Sequence, residues 1–243
     1  MNDGHIHLPV AEAYDRWAPF YDSYDNPMVF GASQLVGFLS KAIEAKVVVE
    51  FGCGTGRNLA RLKQDGAERL IGCDVSPGML EKARARDPAF ILFQQDMTQP
   101  LPLADGVADL ALFSLSLEHV AELVSPLREA RRLIKATGAI AVIEIHPFLS
   151  LGDVSAHFRD GDAIVRMPTF PHRFSDYINA AAQAGLAIAA CREWRPRDFQ
   201  GAPPEKLFKR GPDIPLLVAF TLTRGEDGQS PDAPRRPREI QSR

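Results

Sequence analysis

The 243-residue sequence lacks an excess of charge, a long hydrophobic run and more than a few cysteines. Its 28 Lys and Arg residues against 31 Asp and Glu leave a formal net charge of −3, which gives no reason to expect nucleic acid or an anionic membrane as partner. No apolar run approaches the roughly 20 residues of a membrane-spanning helix, and residues 1–10 lack the basic-then-apolar pattern of a signal peptide. We therefore expect a cytoplasmic protein with no membrane or nucleic-acid partner.

The three cysteines share no metal-ligand spacing, so the sequence predicts no metal site. Cys53 and Cys73 end strand-like apolar runs, where a thiol usually packs as a small hydrophobic side chain. The chain also lacks a P-loop and a Ser/His/Asp order. These absences argue against a metalloenzyme, a P-loop nucleotidase and a serine hydrolase.

Strands alternate with helices along most of the chain, which predicts an α/β fold with a doubly wound, mostly parallel sheet. The last strand returns directly through a loop rich in proline, glycine and basic residues, so we expect it to run antiparallel. The seven predicted strands are 46–51, 69–74, 90–93, 108–114, 139–145, 186–194 and 215–224. Predicted helices are about 32–44, from 57 onward, 76–87, 120–135 and 174–184, the fourth stopping at Gly138 after a basic turn.

We expect one domain over residues 1–224, with two additions to the alternating core. Residues 11–45 form an N-terminal helical lid, in which Tyr14, Trp17 and Tyr21 share one helical face. Residues 147–172 interrupt the alternation as an inserted cap, with a hairpin around Asp160-Gly161. Residues 225–243 are polar, proline-rich and aperiodic, which predicts a disordered tail.

A turn with three glycines follows the first strand of the alternating region. Gly52, Gly54 and Gly56 stand at alternate positions, and a helical pattern begins at Arg57. Glycines let the backbone approach a ligand closely because no Cβ intervenes. Open α/β sheets bind ligands at this carboxyl end of the strands. The turn therefore predicts a binding site for a nucleotide-like ligand.

Acidic residues around the turn narrow the choice of ligand. Asp74 ends the second strand about 20 residues later, where a carboxylate accepts the hydroxyls of a ribose, and Asp96 follows the third strand. A dinucleotide fingerprint needs a glycine where this chain has Arg57, which disfavours a nicotinamide oxidoreductase. Glu50 repels a pyrophosphate but attracts an ammonium group. S-adenosylmethionine is the simplest adenosine ligand with these properties.

Four motifs together resemble those of the class I S-adenosylmethionine-dependent methyltransferases that act on small molecules, a family with a Rossmann-like fold. They are residues 50–56, 74–79, 96–97 and 114–120. By this resemblance, the three glycines line the methionine portion of the cofactor and Asp74 holds its ribose. The resemblance further implies cofactor contacts from Glu50 and Cys53 at the turn, Val75 and Met79 beside the adenine, Asp96 and Met97 at the base edge, Ser114 at the methionine end, and Tyr14 and Tyr21 from the lid.

Methyl transfer is an in-line displacement, and a general base is needed when the acceptor carries a proton at neutral pH. His119 and His146 follow the fourth and fifth strands and are the predicted bases, with His172 as a third candidate. The expected acceptor is a small apolar or aromatic metabolite, methylated on oxygen or nitrogen by a monomer or homodimer. Carbon methylation of a quinone-like ring and cofactor binding without catalysis remain as alternatives.

Overall fold

The computed structural model describes residues 5–152, 154–201 and 203–225 of the chain. The predicted disordered tail, 225–243, lies outside the described residues apart from Gly225. No helix in these ranges is both long and apolar enough to cross a bilayer.

Seven strands form the main sheet, and three short ones form a second sheet. The strands are His5–His7 (β1), Val47–Phe51 (β2), Arg69–Asp74 (β3), Ile91–Gln94 (β4), Ala108–Ser114 (β5), Ile134–Ile145 (β6), His157–Asp160 (β7), Ala163–Arg166 (β8), Leu186–Trp194 (β9) and Leu217–Arg224 (β10). The main sheet has the order β4-β3-β2-β5-β6-β10-β9, and β10 runs antiparallel to both of its neighbours. This confirms the predicted Rossmann-like sheet with an antiparallel last strand.

Helices cover both faces of the main sheet. They are Val10–Trp17 (α1), Pro27–Ile43 (α2), Arg57–Gln64 (α3), Pro77–Arg86 (α4), Val124–Leu133 (α5), Pro147–Ser150 (α6) and Phe174–Gln183 (α7). Successive residues of a strand point to opposite faces. Val48 accordingly packs in the core that holds α2 and α3, whereas Val49 packs in the core that holds α5 and α7. The central strands are buried on both sides, as a parallel sheet requires, whereas the edge strand β9 is exposed over most of its length.

Two helix boundaries differ from the predicted ones. Helix α2 begins at Pro27 rather than near residue 32, because the Asn26 side chain caps it by accepting a hydrogen bond from the backbone N–H of Met28. Helix α5 ends at Leu133, and the supposed stop signal at Gly138 lies inside β6. A Cβ on Gly138 would stand 3.0 Å from the carbonyl oxygen of Ala108, so this glycine serves close strand contact rather than a helix end.

A small third layer joins the N-terminal segment to the insertion after β6. Strand β1, which the sequence pattern did not predict, pairs in parallel with β8, and β8 pairs with β7 as the predicted hairpin. Under this sheet, the rings of Trp17 and Phe158 stack with centroids 4.5 Å apart. The lid and the inserted cap therefore pack against each other and share a separate apolar cluster.

Candidate active site

The glycine turn connects β2 to α3 in a conformation that needs glycine. Gly52, Gly54 and Gly56 all have positive φ angles, of 70°, 52° and 71°. A Cβ on Gly52 would lie 2.7 Å from the Cβ of Ser116, whereas a Cβ on Gly54 would meet no protein atom within 4 Å. Gly52 thus packs against the neighbouring loop, and Gly54 faces open space above the sheet.

A cavity in two adjoining compartments lies at this edge of the sheet. The compartments measure about 520 and 390 Å³ including space open to solvent, and both are lined by Tyr21, Gly52, Gly54, Ser114 and Leu115. The larger compartment is also lined by Val10, Tyr14, Asp74, Val75, Met79, Gln95, Met97 and Ser116. The smaller one is also lined by Val29, Ala32, Ser33, Glu50, Cys53, Thr55, Arg57 and Asn58. Together they form an elongated site that runs over the glycine turn.

Glu50 places a buried carboxyl group at the floor of the smaller compartment. Its Oε1 accepts a hydrogen bond of 2.7 Å from Nδ2 of Asn58, but its buried Oε2 has no hydrogen-bond partner. Burial raises the pKa of Glu50 to about 8, partly offset by the Asn58 hydrogen bond. A buried carboxylate oxygen without a partner is unfavourable, so this atom suits a cationic group of a bound ligand.

Asp74 joins the end of β3 to the glycine turn. Its Oδ2 accepts a hydrogen bond from the backbone N–H of Gly54 at 2.8 Å, and its Oδ1 accepts one from the N–H of Ser76 at 2.9 Å. Burial raises the pKa of this carboxyl, and these backbone hydrogen bonds oppose the rise. Each oxygen retains accepting capacity for a ligand hydroxyl.

Two predicted cofactor residues are not among the residues that line the cavity. Asp96 is exposed, and its Oδ1 accepts hydrogen bonds from the backbone N–H and the hydroxyl of Thr98, both at 2.8 Å. Gly56 begins α3, and a Cβ there would lie 3.1 Å from both Ala83 and Phe90, so its role is close packing of the helix. The neighbours Gln95 and Met97 supply the wall beside Asp96.

The loop after β5 contributes wall residues that the sequence did not reveal. Leu115 has a φ of 55°, which is rare for a residue with a side chain. This kink places Leu115 and Ser116 in the cavity wall, where the buried hydroxyl of Ser116 has no partner. Strained backbone concentrates at functional sites, but no sequence pattern marks a leucine for this conformation.

The N-terminal lid is anchored over the glycine turn by two carboxylates. Asp15 Oδ1 accepts hydrogen bonds from the Ser76 hydroxyl at 2.6 Å and from the backbone N–H of Gly78 at 2.8 Å. Asp22 accepts a hydrogen bond of 2.8 Å from the hydroxyl of Thr55 within the turn. These contacts hold Tyr14 and Tyr21 in the cavity wall.

Tyr14 also connects the lid to His119. Nδ1 of His119 donates to the carbonyl oxygen of Pro168 at 2.9 Å, and Nε2 accepts from the Tyr14 hydroxyl at 2.8 Å. Burial lowers the pKa of His119, which favours this neutral tautomer. Both ring nitrogens are therefore engaged while the lid lies in this position.

The other two predicted bases are held by the fold. His146 caps α6: its Nδ1 accepts from the backbone N–H of Phe148 at 3.1 Å, and its Nε2 donates to Glu193 at 3.2 Å. Nε2 of His172 donates to the carbonyl oxygen of Val120 at 2.8 Å. Neither imidazole lines the two-compartment cavity, so this geometry gives both a structural role.

The comparisons with known proteins agree with this fold. Residues 49–142 match a family described as a methyltransferase domain. An uncharacterized methyltransferase of Emericella nidulans is 28% identical over 230 residues, covering 77% of this chain and 79% of that protein. A demethylmenaquinone methyltransferase of Beutenbergia cavernae is 34% identical over 139 residues, covering 56% of this chain and 57% of that protein. This match thus spans just over half of the second relative's length.

Solved structures give the same fold at low sequence identity. A crystal structure of an S-adenosylmethionine-dependent methyltransferase from Mesorhizobium loti superposes with a TM-score of 0.57 and 20% identity, covering 73% of this chain and 90% of that chain. Residues 49–142 therefore form a methyltransferase domain, and the chain has the fold of the S-adenosylmethionine-dependent methyltransferases. S-adenosylmethionine is its cofactor.

The methyltransferase's own residues fit this cofactor. The unpartnered Oε2 of Glu50 suits the ammonium group of a methionine moiety, and Gly54 leaves space beside it. Asp74, Val75 and Met79 line the larger compartment, where a carboxylate and apolar side chains suit an adenosine. No cluster of three or more metal-binding side chains occurs in the described ranges of the chain.

Replacing Tyr14 by phenylalanine is expected to loosen the methyltransferase's lid. The change removes the hydrogen bond to His119 Nε2 and leaves a buried acceptor unpaired, which costs about 1–3 kcal/mol of unfolding free energy. Denaturant unfolding measures the loss, and stopped-flow release of S-adenosylhomocysteine should become faster. Tyr24→Phe is the control, since Tyr24 packs against the same Trp17 ring. Equal losses in the two variants would contradict a specific role for the Tyr14–His119 bond.

Proposed function

We propose that this methyltransferase methylates an oxygen or nitrogen atom of a small apolar or aromatic metabolite. The observation that carries the proposal is the buried, unpartnered Oε2 of Glu50 in the floor of the glycine-turn cavity. The negative charge of the Glu50 carboxylate attracts the ammonium group of an adenosine that carries an amino acid. The same charge repels a pyrophosphate. When bound, S-adenosylmethionine supplies a methyl group on a positively charged sulfur.

The chain's own residues bind and enclose the cofactor in this proposal. Asp74 accepts hydrogen bonds from the ribose, and Val75 and Met79 contact the adenine. Ser114 lies where the two compartments join, which places it toward the methionine end. Tyr14 and Tyr21 close the cavity from the lid and exclude water, which strengthens the electrostatic interactions inside it.

A small acceptor is favoured because the lid and the inserted segment pack together beside the cavity. The lid and the inserted segment share an apolar cluster that covers this edge of the sheet. Phe148 and Phe170 are 60% and 39% exposed and give the inserted segment an apolar surface. Such apolar surroundings suit a metabolite rather than a folded macromolecule. The proposed setting is the cytoplasm, with a monomer or homodimer as the working unit.

Carbon methylation of a quinone-like ring is the second candidate. The observation that favours it is the Beutenbergia cavernae relative, whose name states that it methylates demethylmenaquinone. Glu118 and His119 follow β5 near the cavity. Burial raises the pKa of Glu118 to about 7 and lowers the pKa of His119, which fits removal of a proton from either a heteroatom or a ring.

Transfer of a labelled methyl group tests the proposal. The protein is incubated with S-adenosylmethionine carrying a trideuterated methyl group and a panel of phenols, hydroxy acids, amines and naphthoquinols. We expect a product 17 mass units heavier, with a carbon-13 methyl shift typical of O–CH₃ or N–CH₃. A methyl carbon bonded to a ring carbon would favour the second candidate. Tight cofactor binding without any labelled product would instead favour a non-catalytic binding protein.

A further inference from the structure

A second cavity of about 440 Å³ lies beside the cofactor site. Three segments form its walls: the loop after β5, the insertion after β6, and the stretch that follows β8. Its lining includes Glu118, Ser150, Ser155, Arg166, Thr169 and Phe170. Both the volume and the mix of apolar and polar groups are those of a small-molecule site.

Glu118 connects this outer cavity to the cofactor cavity. The residue lies between Ser116, which lines the cofactor cavity, and His119, which bonds to Tyr14 of the lid. The backbone of Glu118 is fixed by a hydrogen bond of 2.7 Å from the N–H of Phe170 to its carbonyl oxygen. The charge of Glu118 is also among the influences that raise the pKa of Tyr14. The carboxyl is therefore close to the partition between the two cavities.

We propose that the outer cavity binds the methyl acceptor and that Glu118 is the general base that removes its proton. This inference rests on the proposed function, since it assigns the second substrate of the same reaction. It differs from the sequence-based expectation, in which a histidine took this role.

The histidines nearby have their nitrogens engaged, whereas Glu118 faces a cavity. His119 donates to Pro168 and accepts from Tyr14, and His146 accepts from Phe148 and donates to Glu193. Glu118, in contrast, lines the outer cavity, and its carboxyl group accepts a hydrogen bond from the backbone N–H of Ala156, next to the lining residue Ser155. Geometry within reach of the proton is the first requirement for a base.

The surroundings of Glu118 bring the pKa of its carboxyl group close to neutral pH. Burial raises the pKa of Glu118 to about 7, and a hydrogen bond from the backbone N–H of Ala156 partly opposes the rise. The titratable groups around it are Glu144 from β6, Tyr14 from α1, Tyr21 from the lid, Tyr177 from α7 and Arg166 from β8. A base works best when its pKa is near the working pH. Glu118 therefore holds or releases a proton within the physiological range.

The proton balance is simple for a hydroxyl acceptor. The Glu118 carboxylate takes the proton as the acceptor oxygen forms its bond to the methyl carbon. The carbon–sulfur bond breaks, and its electron pair stays on sulfur, which becomes a neutral thioether. The Glu118 carboxylic acid then loses its proton to water. An amine acceptor follows the same balance.

Carboxyl titration by NMR tests the position of Glu118 without any acceptor. The full-length protein is labelled with glutamate carrying carbon-13 in its side-chain carboxyl, and Glu118→Gln identifies the signal. We expect the Glu118 carboxyl to titrate with a midpoint near 7. This midpoint should be lower by about one pH unit with S-adenosylmethionine than with S-adenosylhomocysteine, because only S-adenosylmethionine has a charged sulfur. Glu81, exposed on α4, is the internal control and should titrate equally with both ligands.

The outcomes of this titration test the role of Glu118 separately from the proposed function. Equal midpoints with both ligands, when calorimetry shows that both bind, would overturn the role of Glu118 alone. Failure of either ligand to bind would overturn the proposed function and this inference with it. A midpoint at the ordinary value for glutamate would also exclude Glu118 as the base.

Kinetics with an acceptor found in the labelled-methyl assay provides the second test. Glu118→Gln should lower kcat at least tenfold, keep cofactor affinity within about twofold and abolish the rise of kcat with pH between about 6 and 7. Glu118→Asp should recover part of the rate, and Glu81→Gln should behave as the wild type. A variant Glu118→Gln with a raised KM but an unchanged kcat and pH profile would mean that Glu118 only binds the acceptor, and would contradict its role as base.

Discussion

Replacing Glu50 by glutamine should weaken the binding of S-adenosylhomocysteine about 10- to 100-fold at pH 7.5, because the ligand's ammonium group loses a charged partner. Glutamine keeps the size of the side chain and can still accept the Asn58 hydrogen bond. Isothermal titration calorimetry measures the affinity. Unchanged affinity would remove Glu50 from the cofactor site.

The pH dependence of this binding has a defined sign. Burial holds the pKa of Glu50 at about 8 in the free protein, and a cation beside Oε2 favours the ionised carboxylate. Binding therefore releases a proton, and the affinity of the wild type should rise between about pH 6 and 8. Calorimetry in buffers of different ionisation enthalpy detects the released proton, which should be absent in Glu50→Gln.

Glu144 offers a matched control for this experiment. Burial also raises its pKa to about 8, but its Oε1 accepts hydrogen bonds from the backbone N–H groups of Ser116 and Leu117 instead of facing the glycine turn. For both residues the folded pKa exceeds the unfolded one. Stability is therefore lost as pH rises from about 4.5 to about 8, and either glutamine variant should reduce that loss. Proton release on ligand binding should persist in Glu144→Gln.

Replacing Gly52 by alanine is expected to damage both stability and cofactor binding. The residue has a φ of 70°, and its new Cβ would lie 2.7 Å from the Cβ of Ser116 and 3.2 Å from Met97. The backbone strain alone costs about 1–3 kcal/mol, and relief of the contact must displace the loop that forms the cavity wall. Denaturant unfolding should show the loss, and S-adenosylhomocysteine should bind at least tenfold more weakly.

Substitutions at two other glycines separate the effect of backbone strain from the effect of the contact with Ser116. Gly106 has a φ of 65° and open space where an added methyl group would lie, so Gly106→Ala should lose stability from backbone strain but keep full cofactor affinity. Gly54 has a φ of 52°, and a Cβ added there would also meet no protein atom within 4 Å, but the residue lines the cavity. Gly54→Ala should therefore bind the cofactor more weakly and lose less stability than Gly52→Ala. Equal effects at Gly52 and Gly106 would show that contact with Ser116 is unimportant.

Sequence patterns predicted the structure correctly where a pattern has a single structural explanation. The alternation of apolar runs and helical patterns predicted the main sheet and its antiparallel β10, because parallel strands need crossover helices. The glycines at 52, 54 and 56 predicted the turn, since only glycine adopts their φ angles freely. Gly138 was misleading, because close strand contact and a helix stop both select glycine.

The remaining parts of the site depend on packing between distant segments. Strand β1 forms only because β8, more than 150 residues later, supplies its hydrogen-bond partner. The engaged nitrogens of His119 depend on Tyr14 and Pro168, which lie far from it in sequence. The acidity of Glu118 arises from burial under the inserted segment. Such properties belong to the folded chain and have no local sequence signal.

Calorimetric titration of the full-length protein with S-adenosylhomocysteine, beside a parallel titration with NAD, tests the central claim most directly. The cavity at the glycine turn, with the unpartnered carboxyl oxygen of Glu50 and with Asp74 in its wall, predicts saturable one-to-one binding of S-adenosylhomocysteine with release of a proton, and no binding of NAD. Saturable binding of NAD without binding of S-adenosylhomocysteine would contradict the account.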